Sequence, residues 1–170
     1  RCYRELDCRA TDRSTDLNDR CIETALRELD DSSTTLLDVG CGRGHWARLV
    51  SERTPLEVTA CDVFESLDDP AFAYVKGNIE ALPFPDSSFD IVTCFHTLEH
   101  VRNPQAAADE LKRVARRQLL VVTPRQRAYY YSLDMHINYF TFRNQIERLI
   151  GVPGTECRNL DGDWLCISSM

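Results

Sequence analysis

Two aspartates and a glycine-rich turn are the residues whose types and spacing most directly suggest a ligand. Asp38 stands shortly before the turn GCGRG at residues 40–44, and Asp62 follows a second apolar run. Glycines allow positive φ and let a ligand lie against bare backbone. A carboxylate beside such a turn repels phosphate but favours an ammonium or another cationic group. The pattern therefore predicts a close-packed ligand that carries positive charge.

The glycine spacing itself argues against a phosphate ligand. The dinucleotide fingerprint is G-x-G-x-x-G, and the P-loop requires G-x-x-x-x-G-K followed by Ser or Thr. This turn reads G-x-G-x-G, which disfavours a nicotinamide dehydrogenase. An acid after the second strand of an α/β sheet commonly accepts hydrogen bonds from ribose hydroxyls. A cationic nucleoside without phosphate satisfies both aspartates, and S-adenosylmethionine is that kind of molecule.

The elements that must position these residues alternate along the chain. Strand-like apolar runs occur at 34–39, 56–61, 72–75, 89–95 and 118–123, and helical spacing at 16–29, 44–53, 103–116 and 141–150, the last with Thr141 as a candidate cap. Such alternation is typical of βαβ units and a mainly parallel sheet. Asp161-Gly162 predicts a closing hairpin with strands near 155–160 and 163–168, whose two-residue turn makes it antiparallel. We therefore predict a doubly wound, Rossmann-like open α/β sheet with ligands at the carboxyl ends of its strands.

Length and charge limit the classes of protein to which the chain can belong. A chain of 170 residues predicts a single domain, which we divide into an N-terminal helical cap (1–33) and a core (34–170). No apolar run approaches the roughly 20 residues that cross a bilayer. The formal net charge of −7 argues against non-specific nucleic-acid binding. Basic residues do gather at 112–127, and we interpret them as a solvated helix end and loop. The expected location is the cytoplasm.

Eight cysteines are many for this length, yet none forms a C-x-x-C pair, so a zinc knuckle or thioredoxin-like motif is not predicted. If the Asp-Gly turn closes a two-residue hairpin, Cys157 falls directly opposite Cys166. A cross-strand disulfide is conceivable there. In a reducing compartment we expect two unbonded neighbours instead.

Three stretches also resemble a known family. LLDVGCGRGHWARLV (36–50), GNIEALPFPDSSFDIVTCFHTLEHV (77–101) and LKRVARRQLLVVTP (111–124) are similar to successive motifs of class I S-adenosylmethionine-dependent methyltransferases, particularly the type 11 group. The resemblance covers about residues 34–150. It implies a seven-stranded sheet whose last strand is antiparallel, in agreement with the hairpin. It also implies S-adenosylmethionine as cofactor, S-adenosylhomocysteine as product, and no metal.

The resemblance implies roles for residues of the cofactor side. Asp38 would lie near the ammonium group of the methionine part, and Asp62 would hold the ribose hydroxyls. Asn78 stands where the family more often has Asp, a change that weakens the contact with adenine because the charge is lost. The predicted cofactor-binding residues are Asp38, Gly40, Cys41, Gly42, Asp62, Val63, Asn78, Ile79, Phe95 and His96.

The acceptor side is predicted from residues 129–142 (YYYSLDMHINYFTF), which hold six aromatic residues after the fifth strand. They could form an apolar acceptor pocket with Asp134 and His136 as its polar groups, or simply a packed lid. A protein base is needed only if the acceptor must lose a proton. The candidate catalytic residues are therefore His96, His136 and Asp134. We interpret His45 as structural or exposed and His100 as a residue that orients the loop.

The resulting hypothesis is methyl transfer to an O or N atom, or a C atom, of a small or lipid-like molecule, by in-line displacement. Two alternatives stay open. One is an RNA- or tRNA-modifying methyltransferase that docks through residues 112–127, although the Asp/Asn-Pro-Pro-aromatic turn of base-amino methyltransferases is absent. The other is a non-catalytic partner subunit of the same fold. The sequence predicts a small-molecule partner, no membrane span and no particular oligomeric state.

Overall fold

The computed structural model describes residues 15–64, 66–128 and 135–170. The strands are β1 (Thr35–Val39), β2 (Glu57–Asp62), β3 (Ala73–Lys76), β4 (Phe89–Phe95), β5 (Ala115–Pro124), β6 (Glu156–Leu160) and β7 (Asp163–Ser169). The helices are α1 (Asp19–Glu28), α2 (His45–Arg53), α3 (Pro104–Val114) and α4 (Arg143–Ile150), with a short 3-10 turn at Leu98–His100 after β4. Each predicted strand and helix is present, with ends shifted by a few residues.

All seven strands form one sheet in the order β3-β2-β1-β4-β5-β7-β6. The pairs from β3 through β5 are parallel, whereas β7 is antiparallel to both β5 and β6. The order reverses at β1, so β1 and β4 flank the topological switch point where α/β sheets bind ligands. The predicted doubly wound, Rossmann-like fold with an antiparallel C-terminal strand is confirmed.

Apolar side chains cover both faces of the sheet. On one face, Leu37 and Val92 pack with Leu111 of α3 and Ile146 of α4. On the other face, Leu36 belongs to a second cluster with residues of α1 and α2. Because parallel strands are buried on both faces, β1 and β4 read as continuous apolar runs. Polar residues stand within both strands, and two of them, Asp38 and Thr93, belong to the site described below.

The C-terminal hairpin has the predicted register, with Cys157 directly opposite Cys166. The expectation of two unbonded thiols is wrong for this structure, because the two residues form a disulfide. Their Cα atoms lie 4.1 Å apart, which brings both Sγ atoms within bonding reach. The location in the cytoplasm stays a prediction.

Two helix ends show how local contacts set the boundaries. The Asn18 side chain caps α1 by accepting from Cys21 N at 2.9 Å, and its amide donates to Asp163 Oδ2 at 2.8 Å. Helix α4 begins at Arg143, where the Gln145 side chain accepts from the Phe142 N–H. Thr141 is therefore not the cap, because its hydroxyl donates to the Gln126 carbonyl instead.

The predicted division into a cap at 1–33 and a core at 34–170 stays a prediction, and part of the cap falls outside the described residues. Among the described helices, none combines the length and the apolar character that a bilayer crossing demands.

Candidate cofactor and acceptor site

The glycine turn between β1 and α2 leaves open space over one glycine and none over another. Gly40 and Gly42 both have positive φ, +75° and +54°. A Cβ on Gly40 would lie 2.1 Å from Thr97 Oγ1, so this glycine is required for packing. A Cβ on Gly42 would meet no atom within 4 Å. The bare backbone of Gly42 therefore faces space that a ligand could fill.

Asp62 ends β2 beside this turn. Its carboxylate accepts from Gly42 N at 2.8 Å and from Val63 N at 2.6 Å. Burial raises the pKa of the carboxyl, and these backbone hydrogen bonds oppose the rise. A carboxylate offers about four lone-pair sites, so two acceptor sites remain for hydroxyl donors of a ligand. In the described part of the chain, no cationic side chain pairs with Asp62.

Asp38 lies near the end of β1 and is buried. Its Oδ1 accepts from the Thr93 hydroxyl of β4 at 3.0 Å, and Thr93 Oγ1 in turn accepts from Trp46 Nε1 at 3.2 Å. Burial raises the pKa of Asp38 to about 7, partly offset by the Thr93 hydrogen bond, and the charge of Asp62 adds to the rise. Among the described residues no cation pairs with Asp38 either. The two acids thus repel each other and would both be stabilised by a cationic ligand.

An apolar surface follows Asp62. Val63 and Phe64 directly follow the half-buried Asp62, and they are 61% and 45% exposed. Ile79, predicted to contact the cofactor, is buried in the core, so its main chain is the part that remains available. The Asn78 side-chain oxygen Oδ1 already accepts from Glu80 N at 3.0 Å and keeps one further lone pair.

Phe95 ends β4, His96 follows it, and the two side chains differ in orientation. The Phe95 ring is buried against Trp46, with ring centroids 4.9 Å apart, so the ring itself belongs to the core. His96 has a φ of +48°, a region that non-glycine residues rarely adopt outside functional sites. This backbone turns the imidazole away from the strand and toward two carboxylates.

The two carboxylates around His96 belong to Glu99 and Asp163. His96 Nδ1 lies 3.4 Å from Glu99 Oε1, and Nε2 lies 3.4 Å from Asp163 Oδ2. These are ion-pair contacts without hydrogen-bond alignment. Burial lowers the pKa of His96, but the two acids outweigh burial and raise it to about 10. At neutral pH His96 is therefore a cation, which can donate a proton but not accept one.

The predicted acceptor side lies on the same edge. Ile137 N and Asn138 N both donate to the Glu99 carbonyl, at 2.8 and 3.0 Å, which fixes residues 135–142 against the turn after β4. As a result the rings of His136 and His100 meet edge to face, 4.8 Å between centroids. Asp134, the third predicted catalytic residue, lies outside the described residues. The structure thus brings His96, His100 and His136 to one end of the sheet, and His45 begins α2 apart from them.

Several residues of this edge carry no recognisable signal in the sequence: Thr93, Thr97, Glu99, Gln126 and Asp163. Phe64 could have been found, because it directly follows the predicted Asp62-Val63 pair.

A separate cleft of about 400 Å³ is lined by residues including Arg125, Phe142 and Trp164, and it contains none of the predicted cofactor residues.

The sheet order, the glycine turn and the two acids at adjacent strand ends define a class I S-adenosylmethionine-dependent methyltransferase fold. A family model described as "Methyltransferase domain" (Methyltransf_11) matches residues 37–122, from β1 through β5. The chain belongs to this methyltransferase family.

Known proteins agree with this assignment. The chain is 39% identical over 89 residues to a malonyl-[acyl-carrier protein] O-methyltransferase of Serratia marcescens, covering 48% of this chain and 34% of the relative. It is 32% identical over 120 residues to a probable S-adenosylmethionine-dependent methyltransferase of Mycobacterium tuberculosis, covering 64% and 42%. The chain thus spans less than half the length of these relatives. A solved S-adenosylmethionine-dependent methyltransferase of Aquifex aeolicus superposes with a TM-score of 0.67 at 18% identity, covering 99% of this chain and 96% of that one, which supports the fold.

Proposed function

We propose that the protein is an enzyme that binds S-adenosylmethionine at the ends of β1 and β2 and transfers its methyl group to a small or lipid-like acceptor. The observation that carries the proposal is the pair Asp38 and Asp62, two carboxylates held around the open backbone of Gly42 without a cationic partner among the described residues. A positively charged ribonucleoside would satisfy both acids at once.

The residues present fit this cofactor. Asp62 retains acceptor sites for ribose hydroxyls, and Asp38 supplies negative charge for an ammonium group. Val63 and Phe64 offer exposed apolar surface on which an adenine ring could pack. Gly40 and Gly42 would line the methionine part. When bound, the cofactor supplies a methyl group activated by the sulfonium, which a nucleophile takes by in-line displacement.

The chain's own contribution is alignment and proton handling at the β4 edge. His96, held in place by Glu99 and Asp163, supplies positive charge close to where we place the reacting groups. The side-chain oxygen of Gln126 contacts His136 Nδ1. His136 lies on the segment that would cover an acceptor. If the acceptor is a hydroxyl, His136 is our candidate for accepting its proton, because His96 is already protonated at neutral pH.

An oxygen acceptor receives support from the relatives, because the Serratia marcescens relative is an O-methyltransferase for a malonyl-[acyl-carrier protein]. The basic residues at 112–127 give little support to the RNA-modifying alternative. Arg113 pairs with Glu110 and Asp86, Arg116 with Asp90, and Arg117 with Asp30. These arginines connect parts of the protein's own fold, so they offer a weak electrostatic footprint for a phosphate backbone.

Isothermal titration calorimetry with S-adenosylmethionine, S-adenosylhomocysteine and NAD⁺ tests the cofactor proposal. We expect binding of both sulfur nucleosides at one site and no binding of NAD⁺. Failure of both to bind would contradict the proposal. A release assay for S-adenosylhomocysteine over a panel of hydroxylated and amino acceptors then tests transfer. Cofactor binding without turnover on the panel would favour the non-catalytic partner alternative, and turnover on tRNA alone would favour the RNA alternative.

A further inference from the structure

We propose that Glu99, His100 and His136 form a binding site for a divalent transition metal ion, with Zn²⁺ as the natural probe. The three side chains come from the turn after β4 and from the segment that packs on it. One potential ligand atom from each lies within 4.8 Å of the other two. Two imidazoles and one carboxylate are a ligand set that zinc adopts in catalytic sites.

Glu99 is the residue that most needs such a partner. Its side chain is 1% exposed, and neither carboxylate oxygen accepts a hydrogen bond. The ion pair with His96 at 3.4 Å meets only one of its oxygens and lacks hydrogen-bond alignment. A buried charged group with so little direct hydrogen bonding is costly, and metal coordination is one of the arrangements that remove the cost.

The hydrogen bonds of the two histidines prepare their rings for coordination. His100 Nδ1 lies 3.4 Å from the Met135 carbonyl oxygen, and His136 Nδ1 contacts Gln126 Oε1. A carbonyl oxygen can only accept, so each contact assigns the ring proton to Nδ1 and the lone pair to Nε2. Metal-ligating histidines almost always donate their other N–H to such an oxygen, which fixes ring orientation and raises ligand basicity. His100 Nε2 lies 4.0 Å from Glu99 Oε1, on the side where the ion would sit.

The position of the site suggests what the ion does, and this role rests on the proposed methyl transfer. Three protein ligands leave coordination positions open, as in catalytic rather than structural zinc sites. An acceptor hydroxyl bound there would lose its proton to water more readily. Its oxygen would then attack the methyl carbon while the carbon–sulfur bond breaks and the sulfur keeps the electron pair. In this arrangement the ion, not the His136 imidazole, would activate the acceptor.

Metal binding is tested without cofactor or acceptor, so its outcome is independent of the methyl-transfer proposal. Protein treated with a chelator and then dialysed is titrated calorimetrically with ZnCl₂ and, separately, with MgCl₂. We expect one Zn²⁺ per chain and at least 100-fold weaker binding of Mg²⁺, because imidazole ligands suit zinc and not magnesium. Zinc affinity no higher than that for magnesium would overturn the proposal.

The four histidines of the chain provide a matched control. We expect His100→Ala, His136→Ala and Glu99→Gln each to weaken zinc binding at least 10-fold, and His45→Ala to leave it within twofold. Thermal unfolding of each metal-free variant reports whether it folds. Because Glu99 is fully buried and its variant could fail to fold, His136→Ala at a half-buried position carries the test in that case. Equal zinc affinity in wild type and the folded variants would overturn the proposal.

Free cysteines are the competing zinc ligands, and a spectroscopic measurement separates them from the proposed set. Cys21, Cys41, Cys61 and Cys94 carry free thiols in the described part of the chain. Co²⁺ substituted for Zn²⁺ gives visible ligand-field bands, and thiolate ligands add an intense near-ultraviolet charge-transfer band. We expect the ligand-field bands without the thiolate charge-transfer band. We also expect the ligand-field bands to be lost in His136→Ala. A strong thiolate band that persists in His136→Ala would place the metal on cysteines and overturn the proposal.

Discussion

The two halves of the cleft differ in how their buried acids are balanced. At the ends of β1 and β2, Asp38 and Asp62 are met by backbone N–H groups and one threonine hydroxyl, with no cation among the described residues. At the end of β4, Glu99 and Asp163 flank the imidazole of His96. The first half is prepared for a cation that arrives with a ligand, whereas the second already contains one.

Because of this difference, the acids of the cofactor half lower the stability of the cofactor-free protein. Burial raises the pKa of Asp38, so its ionised form is destabilising while the site lacks a cation. The same group gains most when an ammonium group binds. Substitutions in the cofactor half should therefore separate stability from binding, and substitution of His136 on the acceptor side should leave cofactor binding intact.

The largest expected effect is that of Asp38→Asn on the cofactor-free protein. The pKa of Asp38 is raised from 3.8 to about 7, so its stabilising protonated form is lost as the pH rises through 7. Asn cannot ionise and can still accept from Thr93. We expect the variant to be more stable than wild type by up to about 4 kcal/mol at pH 8, with a smaller gap at pH 5. Urea unfolding at both pH values measures the gap, and a gap that narrows toward pH 8 would contradict this account.

Asp62→Asn should have the next largest effect, and it falls on binding. The amide keeps one acceptor oxygen but loses the charge that strengthens hydrogen bonds from ribose hydroxyls, worth about 1.5–3 kcal/mol. We expect the affinity for S-adenosylhomocysteine to fall by about 100-fold in calorimetry. Asp161→Asn, in the exposed hairpin turn, is the matched control. An unchanged affinity in the Asp62 variant would remove this residue from the site.

Gly42→Ala should weaken binding by about tenfold, because its methyl group would occupy the open space over the turn. The left-handed backbone costs an alanine about 1 kcal/mol of stability in any case. Gly154→Ala provides the control, since Gly154 has a φ of +81° and also has no neighbour within 4 Å of the added Cβ. We expect similar losses of stability in the two variants but a loss of S-adenosylhomocysteine affinity in Gly42→Ala alone. Equal affinities for S-adenosylhomocysteine in the two variants would show that the cofactor does not occupy the space over Gly42.

The smallest expected effect is that of His136→Ala on cofactor binding. His136 lies on the acceptor side, against His100 and Gln126. We expect the affinity for S-adenosylhomocysteine to stay within about twofold of wild type, while the rate of methyl transfer falls with any hydroxyl acceptor. A tenfold loss of cofactor affinity would show that His136 contributes to cofactor binding. It would contradict the separation of the cleft into a cofactor half and an acceptor half.

The cofactor half could be predicted from the sequence because its residues stand at the ends of apolar runs. Asp38, the glycine turn and Asp62 each follow a strand directly, and strand ends meet at one edge of a parallel sheet. The register of Cys157 with Cys166 was predictable for the same reason, since an Asp-Gly turn fixes it. Whether the two thiols are oxidised depends on redox conditions that a register does not encode.

The β4 edge could not be predicted to the same depth. Asp163 reaches His96 only because β7 inserts antiparallel next to β5, and nothing around Asp163 in the sequence marks that contact. Glu99 looks like an ordinary residue of a short turn until its burial is known. The positive φ of His96, which aims its ring, likewise has no signature in residue type.

A crystal structure with S-adenosylhomocysteine would show whether the acids at the ends of β1 and β2 hold a ribonucleoside through its ribose hydroxyls and its ammonium group. We expect both ribose hydroxyls to lie within hydrogen-bonding distance of the Asp62 carboxylate. We also expect the amino-acid end to lie over the turn at Gly40 and Gly42, with the sulfur atom facing His96. A nucleoside bound elsewhere, or a ribose without contact to Asp62, would contradict this account.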